Sequence, residues 1–349
     1  MRKIIIIIAV AMSLCAAEGC SGKKKKNTAD ADGNNEQVQP QATRTLKVPE
    51  VPMSITDESE RVKYLAKHFW DGIDYSDNAY AGNDNTEQAL ADYLMVLKGE
   101  KITPSFLLGS ALIIFSVVLN SLPDMGTVNN TITAMMKKLG AEATPEMYDY
   151  ITGLYEKYLY DPNSPYRNEE VYIMILESIV ANPKLEEIEK VRPESQLRMA
   201  KKNRLGDKAL DFNYLTAQGK NGSLYGVKAD YLLIFFYNLG CPACKEVRAG
   251  LAEVFAEPSM VSLLTSGRLK VLAVYPDEDM SEWDKYVGDI PAGWINAYDP
   301  VQEINKNELY DLRAIPSLYL LDKDKKVMLK DFVDPAMLYY AVMDAESRK

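Results

Sequence analysis

Tyr231-Leu232-Leu233-Ile234-Phe235-Phe236-Tyr237-Asn238-Leu239-Gly240-Cys241-Pro242-Ala243-Cys244 decides how this chain is read. An apolar run of strand length leads into two cysteines spaced by two residues. Beyond them Val247, Leu251, Val254 and Phe255 recur at i, i+4, i+7 and i+8, one apolar helical face. Pro242 suits the first helical position, where its missing N–H costs nothing. Cys241 then falls at the N-cap, its sulfur near the free backbone donors. The partial positive charge of a helix N-terminus favours a thiolate there. A strand that ends in Cys-x-x-Cys at the mouth of a helix is the arrangement for thiol–disulfide chemistry. Cys241 is the expected attacking sulfur and Cys244, one turn in, the resolving one.

Other readings of the pair are a zinc site, an inert structural disulfide or two incidental cysteines. A closed zinc site needs four ligands. The remaining cysteines are Cys15 and Cys20, near the N-terminus, and the sole histidine is His68. A structural Cys241–Cys244 disulfide would close so short a loop that little chain entropy is removed. Neither a metal nor a cofactor is expected.

The chain has 349 residues and a net charge of −10, which argues against nucleic acid as a partner. Met1-Arg2-Lys3, an apolar stretch over residues 4–14 and the small residues before Cys20 form a secretory signal, too short for a spanning helix. Ala17-Glu18-Gly19-Cys20 resembles the lipobox of bacterial lipoproteins, with Ala17 where leucine is usual and Glu18 atypical. The resemblance implies cleavage before Cys20 and its lipidation. Ordinary cleavage nearby is the alternative. Residues 21–50 are polar, lack large apolar groups and read as a flexible tether. Lys23 to Lys26 could touch anionic headgroups or simply be solvated.

Residues 51–200 carry mainly helical spacing. Thr56 and Asp57 start a helix through Val62, Leu65, Ala66 and Phe69. Residues 86–97 are amphipathic. Thr144-Pro145-Glu146 opens a helix containing Met147, Ile151, Leu154, Tyr155 and Tyr158, and residues 168–180 form another after the turn at residues 161–165. Residues 101–124 are apolar enough to invite a transmembrane reading. Their length, the Ser105, Gly109, Ser116 and Asn120 stripe and the bracketing Pro104 and Pro123 favour a buried core helix. His68 reads as an ordinary helix histidine. Tyr148, Tyr150, Tyr155, Tyr158 and Tyr160 read as core and interface residues.

From residue 201 short apolar runs alternate with helices. Strands are expected at residues 231–237, 269–275, 317–321 and 326–332. Helices are expected at 279–287, 300–312 and 334–344. The last two strands make a hairpin through Asp322-Lys323-Asp324-Lys325. A strand–helix–strand unit followed by a terminal hairpin and helix implies parallel and antiparallel pairs in one layered sheet. The expected chain is an all-α domain followed by an α/β domain with a mixed central sheet flanked by helices.

These residues resemble the thioredoxin fold, in its envelope TlpA/ResA-type branch. Gly206-Asp207-Lys208-Ala209-Leu210-Asp211-Phe212 is similar to the branch's opening motif, and residues 219–224 to the following turn. Cys241 and Cys244 match the redox pair. Tyr310-Asp311-Leu312-Arg313-Ala314-Ile315-Pro316-Ser317 is similar to the stretch that ends in the family's cis-proline. Residues 274–300, with the Trp283 helix, look like the branch's insertion. The resemblance implies that Pro316 is cis, and that Ile315 offers its backbone to a substrate strand beside the disulfide. An ordinary trans proline is the alternative. The sequence departs from the pattern in having Leu239-Gly240 where a tryptophan is usual. Phe235 replaces the buried aspartate, and Glu246 is one position early for the branch's helix glutamate. No proton acceptor for Cys244 is therefore assigned. Pro242 follows the attacking cysteine as in glutaredoxin- and DsbA-like motifs, whereas Ile315 is thioredoxin-like. The helical region is similar, at His68-Phe69-Trp70-Asp71, Asp74-Tyr75-Ser76-Asp77 and residues 159–170, to an uncharacterised domain that precedes thioredoxin-like domains in envelope lipoproteins.

The expected function is a lipid-anchored thiol–disulfide oxidoreductase of the cell envelope facing the periplasm, with the outer membrane favoured. Reduction or isomerisation is expected over oxidation, from Ile315-Pro316. Its partners would be protein thiols or disulfides, and an envelope electron donor or acceptor. The competing function is a non-catalytic binding or scaffold lipoprotein whose helical domain recognises a partner. A peroxidase would want threonine or serine three residues before its cysteine, where Asn238 stands, and copper delivery would want histidine in the second domain.

Overall fold

The structure, a computed structural model, describes residue 44 and residues 49–82, 84–97, 125–164 and 166–349. The expected signal segment, Cys20, most of the tether and the apolar stretch at residues 101–124 lie outside the described residues. No described helix is long and apolar enough to cross a membrane.

The first region is helical. Its elements are α1 (Glu58–His68), α2 (Asp84–Leu97), α3 (Met125–Glu142), α4 (Pro145–Leu159), α5 (Glu169–Val180) and α6 (Glu187–Ala200). Side chains start the helices where sequence suggests. Asp57, Thr144 and Asn168 each accept a backbone N–H two or three residues into the helix that they precede. Tyr155, Ile151 and Leu176 are fully buried in the shared core, with Ile132 and Leu139 from α3. Tyr148 and Tyr155 are core residues, whereas Tyr150, Tyr158 and Tyr160 pack against the core from its edge. His68 pairs with Asp71 at 2.7 Å and packs against the Tyr64 ring.

Two helices have no counterpart in the sequence reading. In α3, Val128, Ile132, Met135, Met136 and Leu139 do recur at helical spacing. α6 is mostly charged and contains Pro193, so neither periodicity nor propensity marks it. The Glu189 carboxylate accepts the Glu186 N–H at 2.6 Å and caps its start.

The second region is one seven-stranded sheet among the described residues, in the order β2-β1-β5-β4-β3-β6-β7. The strands are β1 (Asn213–Thr216), β2 (Asn221–Ser223), β3 (Tyr231–Phe236), β4 (Leu269–Tyr275), β5 (Ile295–Tyr298), β6 (Ser317–Asp322) and β7 (Val327–Phe332). β3 runs parallel to β4 and β4 to β5, while β6 is antiparallel to β3. The sheet is thus mixed, as expected. Every residue of β3 is buried, which is why it reads as a continuous apolar run. Leu233 and Phe235 face α7 (Pro242–Phe255) and α11 (Pro335–Ser347). Leu232, Ile234 and Phe236 face the opposite layer, with Phe212 and Tyr310.

α8 (Pro258–Thr265), α9 (Met280–Tyr286) and α10 (Glu303–Lys306) complete the elements named here. The helix expected over residues 300–312 is a correction: only Glu303–Lys306 is helical. Gln302 and Glu308 both take positive φ, +58° and +48°, and cut the helix at each end. Strands β1, β2 and β5 and helix α8 were not expected either. They are short, and β1 and β2 are partly exposed, so their patterns are weak.

Leu233 sits at the sheet centre with no exposure. Leu233→Ala should lower stability by about 3 kcal/mol, read as a fall in urea midpoint at unchanged m-value. An unchanged midpoint would mean that β3 does not organise the core.

Candidate functional site around Cys241 and Cys244

The junction of β3 and α7 places both cysteines. β3 ends at Phe236, and Gly240 turns the chain with φ +63°. A side chain at that angle would be strained. Pro242 is the first residue of α7 and Cys241 its N-cap. The Cys244 N–H donates to Cys241 Sγ at 3.2 Å, and the Asn238 N–H to Cys244 Sγ at 3.5 Å. Both sulfurs are free thiols.

The two sulfurs differ in environment. Cys241 is half-buried and lines a cleft of about 540 Å³ with Asn238, Pro242, Pro276, Arg313 and Ile315. Cys244 is 2% exposed and shares the core under the sheet with Phe235 and Tyr237. Burial pushes the Cys244 thiol up to about 12, and the neighbouring Cys241 sulfur adds to the rise. The Asn238 N–H and the more distant Arg248 act the other way.

Ile315–Pro316 is a cis peptide. The Ile315 carbonyl lies 3.9 Å from Cys241 Sγ, so the thiol has a weak acceptor across the cleft. Cys241, Cys244, Ile315 and Pro316 are thus brought to one place, while Cys20 lies outside the described residues. Among the described residues no group of three or more His, Cys, Asp and Glu is arranged to hold a metal ion. Phe235 is fully buried.

Sequence reasoning missed the surroundings of Pro316. Arg313 lines the cleft, and Ser317 donates to Asp331 at 2.7 Å. Tyr160 and Glu169 reach Arg313 in this loop, and Arg167 reaches Asp331 in β7, from the helical region across more than 140 positions of sequence. No local pattern signals such contacts.

Fold and site together define a thioredoxin-like protein. Residues 19–106 and 108–203 match the model described as "Domain of unknown function (DUF5106)", and residues 205–330 match the AhpC/TSA family. The crystal structure of a thioredoxin-like protein from Bacteroides caccae ATCC 43185 is 40% identical, covers 86% of this chain and 99% of its own, and superposes with a TM-score of 0.75. Two structures from Bacteroides fragilis match shorter stretches. One is the C-terminal domain of an uncharacterized protein, 46% identical over 40% of this chain and 98% of its own, with a TM-score of 0.38. The other is a conserved protein of unknown function, 39% identical over 39% of this chain and 98% of its own, with a TM-score of 0.37. The search of curated proteins found no match. The chain belongs to the DUF5106 family and carries an AhpC/TSA thioredoxin-like domain after that region.

An added Cβ at Gly240 would meet only the Tyr286 hydroxyl, at 3.7 Å, and its ring carbon Cζ, at 3.9 Å, so the cost of substitution is conformational. Gly240→Ala should lower stability by about 1 kcal/mol, measured as a depressed thermal midpoint. A raised midpoint would contradict the turn described.

Proposed function

We propose that this chain is a thiol–disulfide oxidoreductase of the cell envelope, working through Cys241 and Cys244. The difference in burial between the two sulfurs carries the reading. The Cys241 thiolate attacks a substrate disulfide, forms a bond to one of its sulfurs and expels the other as thiolate. Cys244 then attacks Cys241 Sγ, its proton passing to the departing thiolate. The substrate leaves reduced, and the enzyme is left with a Cys241–Cys244 disulfide. Two electrons have moved to the substrate, and an envelope electron donor must return them. Ile315 offers main-chain groups to an extended substrate segment, beside the sulfur that attacks it. The Ile315-Pro316 pair favours reduction or isomerisation over oxidation. Asn238, where a peroxidase would place a hydroxyl, donates its backbone N–H towards Cys244 instead.

The leader that ends at Cys20 supports a lipid anchor, which would hold the folded regions at the periplasmic side of a membrane. The outer membrane is the proposed one.

Cys244→Ala should accumulate mixed disulfides through Cys241, visible as reductant-sensitive bands on a non-reducing gel. Cys241→Ser should lower insulin reduction by at least about 100-fold. Absence of both trapped species and wild-type insulin reduction would overturn the proposal and favour a scaffold.

A further inference from the structure

The loop that carries Ile315 and Pro316 is held by the helical region directly at one end and, at the other, through Asp331 of β7. At one end the Arg313 guanidinium stands over the Tyr160 ring, 3.5 Å from its centroid. Arg313 Nη2 donates to the Tyr160 carbonyl at 3.0 Å and to Glu169 Oε1 at 3.3 Å, and Nη1 pairs with Asp311. At the other end the Ser317 hydroxyl donates to Asp331 Oδ1 at 2.7 Å. Arg167 takes the second oxygen of that carboxylate and also donates to the Asp331 carbonyl at 3.0 Å. Lys330 closes the set on Glu169 Oε2 at 2.8 Å.

Three cations here face three carboxylates, so the cluster is neutral. Its carboxylates are largely buried, with the Asp331 and Glu169 side chains 6% and 10% exposed, while Arg313 keeps 22%. Burial alone would raise the Glu169 carboxyl, yet Lys330, Arg167 and Arg313 together hold it below its ordinary value. Buried ion pairs add little net stability, because desolvation offsets their attraction, and one of their attested uses is to fix register. The regions also meet through the exposed Arg198–Glu308 pair at 3.0 Å. Attachment alone would not require a desolvated cluster on the substrate loop.

We propose that the helical DUF5106 region is a brace for the substrate-pairing loop, with Arg313 as a positioning residue for the Ile315 backbone. This rests on the reading that Ile315 pairs with the substrate chain. Loss of the brace would misplace those main-chain groups and weaken capture of a protein disulfide. It would spare attack on a small electrophile that does not use them.

The test is insulin-reduction kinetics and iodoacetamide alkylation of Cys241, in the full chain. Tyr160→Leu removes the aromatic face under Arg313, and Tyr160→Phe keeps it. Tyr160→Leu should raise KM about tenfold, with alkylation of Cys241 within about twofold of wild type. Tyr160→Phe should restore KM, and Arg198→Ala should leave it unchanged. Wild-type turnover with an unchanged KM in Tyr160→Leu would overturn the brace while leaving the activity intact. An equal rise in KM from Arg198→Ala would also overturn it. Should Tyr160→Leu not fold, Arg313→Lys decides: it keeps the charge but loses the planar fork. A raised KM then supports the brace and an unchanged one overturns it. A wild-type chain without turnover removes the activity and the brace together.

Discussion

One N–H···S contact organises the site: the Cys244 backbone donor, aimed at the Cys241 sulfur at 3.2 Å. It exists because Cys241 occupies the N-cap of α7, where unpaired donors gather. That position depends on β3, whose burial on both faces fixes where the strand ends and the helix begins. The same geometry places Cys244 one turn inward, beneath the sheet. One constraint, a strand feeding a helix through Gly240, therefore gives two sulfurs of the same type opposite surroundings.

The helical region bears on that constraint from the other side of the cleft. Its α4–α5 connection supplies Tyr160 and Arg167, and the first turn of α5 supplies Glu169; Tyr160 and Glu169 meet Arg313 in the loop after residue 310, whereas Arg167 meets Asp331 in β7. Further contacts tie α6 and the segment after it to the same side: Asn203 donates to the Leu309 carbonyl at 2.8 Å, and Lys330 donates to the Ala200 and Lys202 carbonyls at 2.8 Å. The charged groups at this junction are paired, while the buried Tyr319 hydroxyl beside them has no hydrogen-bond partner. The two regions share an ordered boundary that includes the residues beside Ile315 and Pro316.

The sulfur pair, the central strands and the terminal hairpin were legible because each rests on a local pattern. Continuous apolar runs marked β3 and β4, and a proline after Cys241 marked the helix start. The segment after Pro300 misled, since its composition permits a helix and only the positive φ at Gln302 and Glu308 breaks it. α6 escaped notice because its stability comes from packing on α5 and a carboxylate cap, not from periodicity. Arg313 was visible in the motif but carried no role, because its partners lie in another region and only the folded chain joins them.

The central claim is that two chemically identical thiols behave differently because of where the helix begins. Alkylation of the reduced native chain by iodoacetamide, followed at each cysteine by peptide mass mapping as pH is raised, tests it most directly. Cys241 should be modified at neutral pH. Cys244 should react far more slowly than Cys241 at neutral pH, its rate rising only in clearly alkaline solution or when the chain unfolds. Modification of Cys244 at neutral pH as fast as, or ahead of, Cys241 in the folded chain would contradict the account.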